Sequence, residues 1–263
     1  MKSISSRDNP VFRQLHRLAT SSRERRKSRL ALLDGIHLVE AYCAIHGSPE
    51  SLVLSAAALE NPEVAALLGR RRDLRPVVLS AALFRDIAQV VHPLGIMAIC
   101  KVPAAALPPV APDTCVMLEG VRDPGNLGSI LRSAAAAGVG HVFLTPDCAF
   151  AWSPKTLRAG MGAHFSLAIH EHADLAAVAR WFGGDVIATL PAAHATLFAA
   201  DLRGRVAWLF GGEGEGLSGA SARLASHAVR IPMAPRTESL NVAAAAAVCL
   251  FERARQRLQR ARP

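Results

Sequence analysis

The sequence is poor in aromatic residues and has no long hydrophobic run. Aromatic residues make up 5% of the 263 residues, with a single tyrosine, although 51% of the residues are hydrophobic. No segment reaches the roughly 18 to 20 uninterrupted apolar residues of a membrane-spanning helix. The N-terminus MKSISSRDNP also lacks the apolar core of a signal peptide. We therefore expect a soluble α/β protein that is cytoplasmic and makes no membrane contact.

Cysteine pairs and metal-binding motifs are missing as well. The five cysteines are odd in number, are widely spaced and form no Cys-x-x-Cys pair, which argues against a disulfide framework or a zinc ribbon. No His-Glu-x-x-His motif occurs among the ten histidines. We expect no metal site, and reduced, buried thiols at Cys43, Cys100, Cys115, Cys148 and Cys249.

Acidic residues are outnumbered, 21 to 30, which leaves a net charge of +9. An excess of Lys and Arg favours a polyphosphate partner, because binding releases counterions from the nucleic acid. The first 29 residues carry nine Lys or Arg against Asp8 and Glu24, and RERRKSR at 23–29 is the densest block. This block is either a basic arm that binds nucleic acid or the solvated face of a helix, and composition leaves both open.

Short apolar runs alternate with amphipathic segments along the whole chain. The alternation begins at Leu30 and closes near Lys101, where a segment rich in Pro and Ala, VPAAALPPVAPD (102–113), follows. It restarts with predicted strands at TCVMLEG, HVFLT, FSLAI, DVIATL, VAWLFGG and AVRIPM, and the last helix is SLNVAAAAAVCLFERARQRLQR. Alternating strands and helices are typical of α/β domains with a mostly parallel sheet. The sequence therefore predicts two α/β domains, 1–105 and 106–263.

Three strand ends in the second half lead into unusual loops, and ligands bind at the carboxyl ends of parallel strands. The first loop lies in LEGVRDPGNLGSILR (118–132), where Asn126 is a plausible N-cap and Arg132 lies six residues further into the next helix. An ordinary capped turn would explain DPGN taken alone. The third loop, IPMAPRTESLNV (231–242), places Ser239 and Asn241 at a helix start, and capping accounts for one of the two.

The second loop, LFGGEGEGLS (209–218), has four glycines in eight residues around Glu213 and Glu215. So many glycines indicate that the backbone itself approaches a ligand. The loop is not a Walker motif, since no GKS or GKT follows, and it is not in the position of a Rossmann fingerprint. Its two carboxylates favour a cationic or hydroxyl-rich ligand over a bare phosphate.

The ordered segments DPGNLGSILRSAAAAG, LFGGEGEGLS and IPMAPRTESLNVAAAAAVCLFE resemble the three motifs of the SpoU/TrmH family of RNA ribose 2′-O-methyltransferases, in the SPOUT superfamily. The resemblance covers about residues 113–257. Upstream, ISSRDNPVFRQLHRL and LLDGIHLVEA are similar to the small RNA substrate-binding domain of the rRNA-directed members. The match departs from the family at Asp34, where Glu is frequent, and at Gly160, where Ser is usual.

This resemblance implies a deep C-terminal trefoil knot that binds S-adenosylmethionine (SAM), and a homodimer. The cofactor contacts that it implies are Thr189, Leu190, Gly211, Ile231 and Leu240. The catalytic residues that it implies are Asn126, Arg132, Glu213, Ser239 and Asn241. The RNA partner is expected to be large-subunit rRNA first and tRNA second, and the nucleotide cannot be read from the sequence.

The resemblance also suggests a role for each polar residue. A guanidinium normally stays protonated, so we expect Arg132 to grip the target phosphate and stabilise the developing alkoxide, although a role as base is open. Asn126 and Ser239 would orient the ribose, Glu213 would position Arg132 or the loop, and Asn241 would brace the knot.

Two other readings remain at this stage. A non-catalytic RNA-binding or ribosome-assembly protein could retain the same fold, but the five polar residues implied to be catalytic are all present. A dinucleotide-dependent oxidoreductase is disfavoured because the glycine-rich loop comes too late in the chain.

Overall fold

A computed structural model describes residues 2–260 of the chain. Two units make up the chain: Met1–Pro103 together with Trp152–Phe165, and Ala104–Ala151 together with Ser166–Pro263. The segment Trp152–Phe165 belongs with the first unit although it lies far along the sequence, a feature absent from the prediction. The boundary between residues 105 and 106 stays a prediction. Residues 102–113 contain no helix or strand.

The first unit contains a five-stranded sheet in the order β1-β4-β3-β5-β2. Strand β5 is antiparallel to β3 and β2, and the β1-β4 and β4-β3 pairs are parallel. Its elements are β1 (Lys2–Ile4), α1 (Pro10–Thr20), α2 (Ser22–Ser28), β2 (Leu30–Asp34), α3 (Ile36–His46), β3 (Ser51–Ser55), a 3₁₀ turn (Ala57–Glu60), α4 (Pro62–Arg70), β4 (Pro76–Leu79), α5 (Ala81–Ile87) and β5 (Ile96–Lys101).

Helix α1 shows why the basic N-terminal segment folds. The Asn9 side chain accepts a hydrogen bond from the Val11 N–H, and Pro10 occupies the first helical position, where a missing N–H costs nothing. Phe12, Leu15 and Leu18 recur at helical spacing and are buried against the sheet. The arginines of α1 therefore lie on its solvent side.

The second unit contains a seven-stranded sheet in the order β10-β12-β9-β11-β6-β7-β8, in which every pair is parallel. The predicted mostly parallel α/β architecture is confirmed. After the linker the elements are β6 (Thr114–Glu119), α6 (Pro124–Ala136), β7 (His141–Leu144), α7 (Pro154–Gly160, in the first unit), a 3₁₀ turn (Ala163–Ser166), β8 (Ala168–His170), α8 (Leu175–Phe182), β9 (Asp185–Thr189), β10 (Ala195–Thr196), a 3₁₀ turn (Leu197–Ala199), β11 (Val206–Gly211), α9 (Gly219–Ala222), β12 (His227–Arg230) and α10 (Val242–Arg260).

The sequence reading missed strands β1 and β10, and two of its details were wrong. Asp123, rather than Asn126, caps helix α6: its carboxylate accepts from the backbone N–H of Asn126 at 2.8 Å. The strand expected at FSLAI begins only at Ala168, because Ala163–Ser166 forms a 3₁₀ turn. The first correction leaves the Asn126 side chain available for other contacts.

The cysteines are all buried and unpaired. Burial raises the pKa of Cys100, Cys115 and Cys249 to about 12, so these thiols stay protonated and unreactive at neutral pH. In the part of the chain that the structure describes, no helix is both long and apolar enough to cross a membrane. Within residues 2–260, no group of three or more His, Cys, Asp or Glu is placed to hold a metal ion.

Candidate active site

A cavity of about 460 Å³ lies at one edge of the seven-stranded sheet. Strands β12, β9, β11 and β6 are neighbours, and their carboxyl ends point to this edge because all four are parallel. The register pairs Gly211 with Glu119, and Thr189 with Val229, so the loops that follow these strands start side by side. The cavity is lined by Thr189, Leu190, Pro191, Phe210, Gly211, Gly212, Glu213, Gly214, Gly216, Leu217, Ile231, Met233, Ser239, Leu240, Asn241, Val242 and Ala245.

The lining is mostly apolar, with a few polar side chains. Such a composition is typical of small-molecule sites, where apolar walls bury the ligand and the polar groups orient it. The five residues predicted to contact a cofactor all line this cavity, and Glu213, Ser239 and Asn241 of the predicted catalytic set line it too. Thr189 lies 4.0 Å from the Cys249 sulfur on α10, so the helix covers this end of the strand.

The glycine-rich loop closes on its own backbone. A Cβ at Gly211 would overlap the backbone of Gly216 and Leu217, and a Cβ at Gly212 would overlap the carbonyl of Gly120 in the neighbouring loop. Gly214 and Gly216 have φ values of +85° and +67°, which glycine adopts without strain. Packing of the loop therefore requires these glycines, in addition to any approach of a ligand.

Glu119, at the carboxyl end of β6, holds the far end of this loop and was missed in the sequence reading. Its carboxylate accepts hydrogen bonds from the Ser218 N–H and hydroxyl, both at 2.8 Å, and from the Ser221 hydroxyl at 2.7 Å. These bonds tie the start of α9 to β6. The sequence signal that could have identified this residue is a glutamate at the end of an otherwise apolar strand.

Three predicted catalytic residues from three different loops form one hydrogen-bond network. The Asn241 amide donates to the Asn126 side-chain oxygen at 2.9 Å, and the Asn126 amide donates to the Glu213 carboxylate at 2.5 Å. Asn241 also caps helix α10, since its side-chain oxygen accepts from the backbone N–H groups of Ala243 and Ala244 at 2.9 and 3.2 Å.

The chemistry of the partners decides the orientation of both amides. Backbone N–H groups only donate, so the Asn241 oxygen must face the helix and its NH₂ must face Asn126. An ionised carboxylate only accepts, so the Asn126 NH₂ must face Glu213. Only this orientation of the two amides satisfies the donors and acceptors of the network. Asn126 then retains one N–H and one lone pair for a ligand.

Arg122 is a second residue that the sequence reading missed. Its backbone N–H donates to the other oxygen of the Glu213 carboxylate at 3.3 Å, and its guanidinium lies 3.4 Å from Glu215 and 3.9 Å from Asp147. The loop after β6, the loop after β7 and the glycine-rich loop therefore meet at this arginine. No local pattern around Arg122 indicated these contacts, because its partners lie in other loops.

Arg132 and Ser239 stand apart from the network. Arg132 is exposed on α6, and it forms no hydrogen bond or ion pair with any residue that the structure describes. Ser239 lines the cavity, with no hydrogen bond recorded from its hydroxyl to residues 2–260. Glu213 contacts Asn126 and the Arg122 backbone, and it makes no hydrogen bond or ion pair with Arg132 within residues 2–260. Gly160 is buried on α7 in the first unit.

Comparisons with known proteins agree with this geometry. A model of the SpoU rRNA Methylase family matches residues 113–251. A protein of Synechocystis sp. (strain ATCC 27184 / PCC 6803 / Kazusa), named as an uncharacterized tRNA/rRNA methyltransferase, is 36% identical over 259 residues, 97% of this chain and 94% of that protein.

Two solved structures have the same fold over nearly the whole chain. A crystal structure of an RNA 2′-O ribose methyltransferase matches with a TM-score of 0.82 at 32% identity, covering 97% of this chain and 99% of the other. An AdoMet-bound rRNA methyltransferase from Sinorhizobium meliloti matches with a TM-score of 0.82 at 30% identity, covering 97% of each chain.

Proposed function

The chain belongs to the SpoU rRNA methylase family, and from this membership we propose that it transfers a methyl group from SAM to the 2′-hydroxyl of a ribose in RNA. We propose large-subunit rRNA as the substrate, and tRNA is the second candidate. The observation that carries the proposal is the Asn126–Glu213–Asn241 network at the edge of the cavity.

The residues of the cavity fit SAM. Leu190, Ile231 and Leu240 offer apolar surface for the adenine ring, and Thr189 and Ser239 offer hydroxyl groups for the polar parts of the molecule. The Glu213 carboxylate suits a ligand that carries a positive charge. When bound, SAM supplies an electrophilic methyl group on a sulfonium centre.

The work left to the protein is to place and activate the ribose hydroxyl. A 2′-hydroxyl is a weak nucleophile, so in-line placement and polarisation of its O–H bond must come from the site. Asn126 has one donor and one acceptor position unused in the network, and Ser239 adds a hydroxyl at the cavity wall. We assign the orientation of the ribose to these two side chains.

Arg132 supplies the positive charge that faces the phosphate and the developing alkoxide. Its guanidinium is exposed and unpaired within residues 2–260, so it is available to hold the phosphate beside the target ribose and to stabilise the alkoxide that develops there. Glu213 acts through Asn126 and the loop, and Asn241 acts through Asn126 while it caps α10.

The family membership also implies a trefoil knot and a homodimer, and two observations support them. Both ends of the segment 231–242 line the same cavity as the glycine-rich loop, as a chain threaded behind that loop would. Helix α10 exposes Phe251 and Leu258, at 50% and 70%, and an apolar helix face of this kind is suited to a second copy.

The experiment that tests the function has two stages. Purified protein is first heated with and without SAM, because a ligand of the native state raises the thermal midpoint. The protein is then incubated with radiolabelled SAM and with rRNA or tRNA from a strain that lacks its gene, and the 2′-O-methylated nucleotide is mapped. We expect SAM to stabilise the protein and one position in rRNA to regain its mark.

A shift with SAM but no transfer to any RNA would favour the non-catalytic alternative, an RNA-binding protein that retains the fold. Transfer to tRNA alone would overturn the rRNA assignment and keep the chemistry. Stabilisation by NAD instead of SAM would contradict the proposal altogether.

A further inference from the structure

We propose that Arg122 is a substrate-positioning residue that binds a phosphate of the RNA beside Glu213, which lines the cavity. The inference rests on the proposed function, and it names a contact that the methyltransferase motifs do not assign. Four observations carry it: the anchoring of the Arg122 backbone, the weak pairing of its guanidinium, the contrast with another arginine, and the surrounding negative charge.

The backbone of Arg122 is fixed to the catalytic network. Its N–H donates to one oxygen of the Glu213 carboxylate at 3.3 Å, and the other oxygen accepts from the Asn126 amide. Residues 122 and 126 are therefore held by the same carboxylate. A group bound by the Arg122 side chain lies at a defined position relative to Asn126.

The guanidinium is fixed only weakly. One nitrogen, Nη2, makes both carboxylate contacts, at 3.4 Å to Glu215 and 3.9 Å to Asp147. The Arg122 side chain is 63% exposed and that of Glu215 is 81% exposed, and ion pairs between such groups contribute little. For Nε and Nη1, no hydrogen bond to another described residue is recorded, so their donors face solvent.

Arg203, in the same unit, is an arginine whose guanidinium is paired with both oxygens of one carboxylate. Its Nε and Nη2 bind the two oxygens of Asp201 at 2.8 and 2.7 Å, in the two-bond geometry that makes such pairs strong. Arg122 has no such partner among residues 2–260. The two non-bridging oxygens of an RNA phosphate can accept from two guanidinium nitrogens, as the two carboxylate oxygens of Asp201 do, and would complete the geometry.

The negative charge around Arg122 also favours a cation at this position. Glu213, Glu215 and Asp147 bring three carboxylates to the loops that Arg122 joins. RNA carries one negative charge per nucleotide, so these carboxylates repel it unless a cation lies between them and the backbone. Arg122 is placed to do this, and it exchanges Glu215 for the phosphate when RNA binds.

The test uses the full-length protein with three substitutions: Arg122→Ala, Arg122→Lys and Glu215→Gln. Arg203→Ala is the matched control, since it removes the same charge from an exposed arginine of the same unit. The measurements are the Kd for SAM, kcat and KM for rRNA from the deletion strain, and the Kd for that rRNA by filter binding at several salt concentrations.

For Arg122→Ala we expect KM and Kd for RNA to rise about tenfold and the slope of log K against log salt to fall by about 1, with the Kd for SAM unchanged. Arg122→Lys should keep the salt slope of the unchanged protein, because lysine keeps the charge. It should recover only part of the affinity for RNA. Glu215→Gln removes the competing carboxylate and lowers the KM for RNA. The control variant behaves like the unchanged protein.

A rise in the Kd for SAM with an unchanged KM for RNA would overturn the inference, since Arg122 would then only brace the glycine-rich loop. An unchanged salt slope in Arg122→Ala would overturn it as well. If no RNA is methylated by the unchanged protein, the proposed function fails, and the filter-binding slopes still decide whether Arg122 contacts a phosphate.

Discussion

Asn241 illustrates how one side chain can serve both stability and chemistry. Its oxygen caps α10 and its NH₂ orients Asn126, so the two ends of the same amide have different tasks. An aspartate would still accept from the helix N–H groups but could not donate to Asn126. Rotation of the Asn126 amide would not help, because its oxygen would then face the Glu213 carboxylate.

The substitution Asn241→Asp should therefore separate the two tasks. We expect the free energy of unfolding to stay near that of the unchanged protein and the kcat for RNA methylation to fall at least tenfold. Asn241→Ala should lose the cap as well, at a cost of about 1 kcal/mol. Urea unfolding and steady-state kinetics measure the two effects, and equal stability losses in both variants would contradict the assignment.

Arg132 differs from Asn241, since its exposed side chain forms no hydrogen bond or ion pair with a residue in 2–260. We expect Arg132→Ala to lower kcat by about 10²–10³, the usual loss when one donor to a developing oxyanion is removed. The Kd for SAM and the thermal midpoint should not change. Near-normal kcat in Arg132→Ala and Arg132→Lys would exclude the role given to this residue.

At the scale of elements, strands β7 and β8 bring two histidines together at the edge of the second sheet. His141 and His170 lie 3.1 Å apart at their ring nitrogens, and Phe143 stacks on His170. Burial, and then the neighbouring His141, lower the pKa of His170 from 6.5 to about 4. Burial also lowers the pKa of His141. At mildly acidic pH the two imidazoles are therefore neutral in the folded protein, whereas the same two side chains are protonated in the unfolded chain.

The sign of the pH effect follows from this difference. Between pH 6.5 and about 4 the unfolded chain binds more protons at His170 than the folded protein, so stability is lost as the pH falls through this window. We expect the thermal midpoint to drop from pH 7 to pH 5, and His170→Asn to show a smaller drop. An identical drop in that variant would show that other groups cause the acid sensitivity.

Helix α1 and helix α4 differ in how their arginines are used. Arg13 and Arg17 of α1 line a surface cavity of about 520 Å³ together with Arg7, Phe12, His16 and Asp86. On the α4 side, Arg70 is paired with Glu40 at 2.6 Å. Arg71, which follows α4, is paired with Asp73 at 2.8 Å. On the α1 face, Arg7 is paired with Asp86 at 2.7 Å and the Arg13 guanidinium donates to the Asp8 carbonyl, whereas the Arg17 side chain makes no hydrogen bond or ion pair with a residue in 2–260. Arg17 is therefore the cation of this face that is available to RNA.

Charge removal on these two helices should have unequal effects. We expect the double substitution Arg13→Ala with Arg17→Ala to weaken RNA binding about tenfold or more and to reduce the salt slope, since each phosphate contact contributes roughly one unit to that slope. Arg70→Ala, the control, should leave RNA binding within twofold. Equal losses in filter binding would place the RNA surface elsewhere.

At the scale of the whole molecule, the first unit is not a simple N-terminal piece. Trp152–Phe165 groups with residues before 104, and the Phe165 ring packs edge-on against Tyr42 at 5.4 Å between ring centres. Trp152, Leu157 and Phe165 are all buried, at 2%, 0% and 4% exposure. Removal of the N-terminal residues would take away part of their cover.

A chain that lacks residues 1–103 is therefore expected to expose these side chains and to aggregate, because an exposed apolar patch of this kind is an association surface. Size-exclusion chromatography of the truncated protein measures the effect. A monodisperse truncated protein that still binds SAM would show instead that the second unit folds by itself. The RNA-binding role of the first unit is better tested by point substitutions on α1.

Much of the fold could be read from the sequence because the signals are local. The alternation of apolar runs and amphipathic segments predicted the strands of both sheets except β1 and β10, and the resemblance to the SpoU/TrmH motifs supplied the five expected cofactor contacts that line the cavity. Asp123 took the cap predicted for Asn126, because both are good N-caps and lie three residues apart. Glu119 and Arg122 were missed because their partners are about a hundred residues away.

The sequence by itself determined the elements, the positive charge and the family, since periodicity, composition and motif order are properties of the chain. Only the tertiary structure decided that Asn126, Glu213 and Asn241 share one hydrogen-bond network, that Arg122 joins it, and that Arg132 stands outside it. The physical reason is that a hydrogen bond depends on distances of about 3 Å and on donor direction. Those quantities are set by the order and register of the strands, which bring together residues that are up to 115 positions apart.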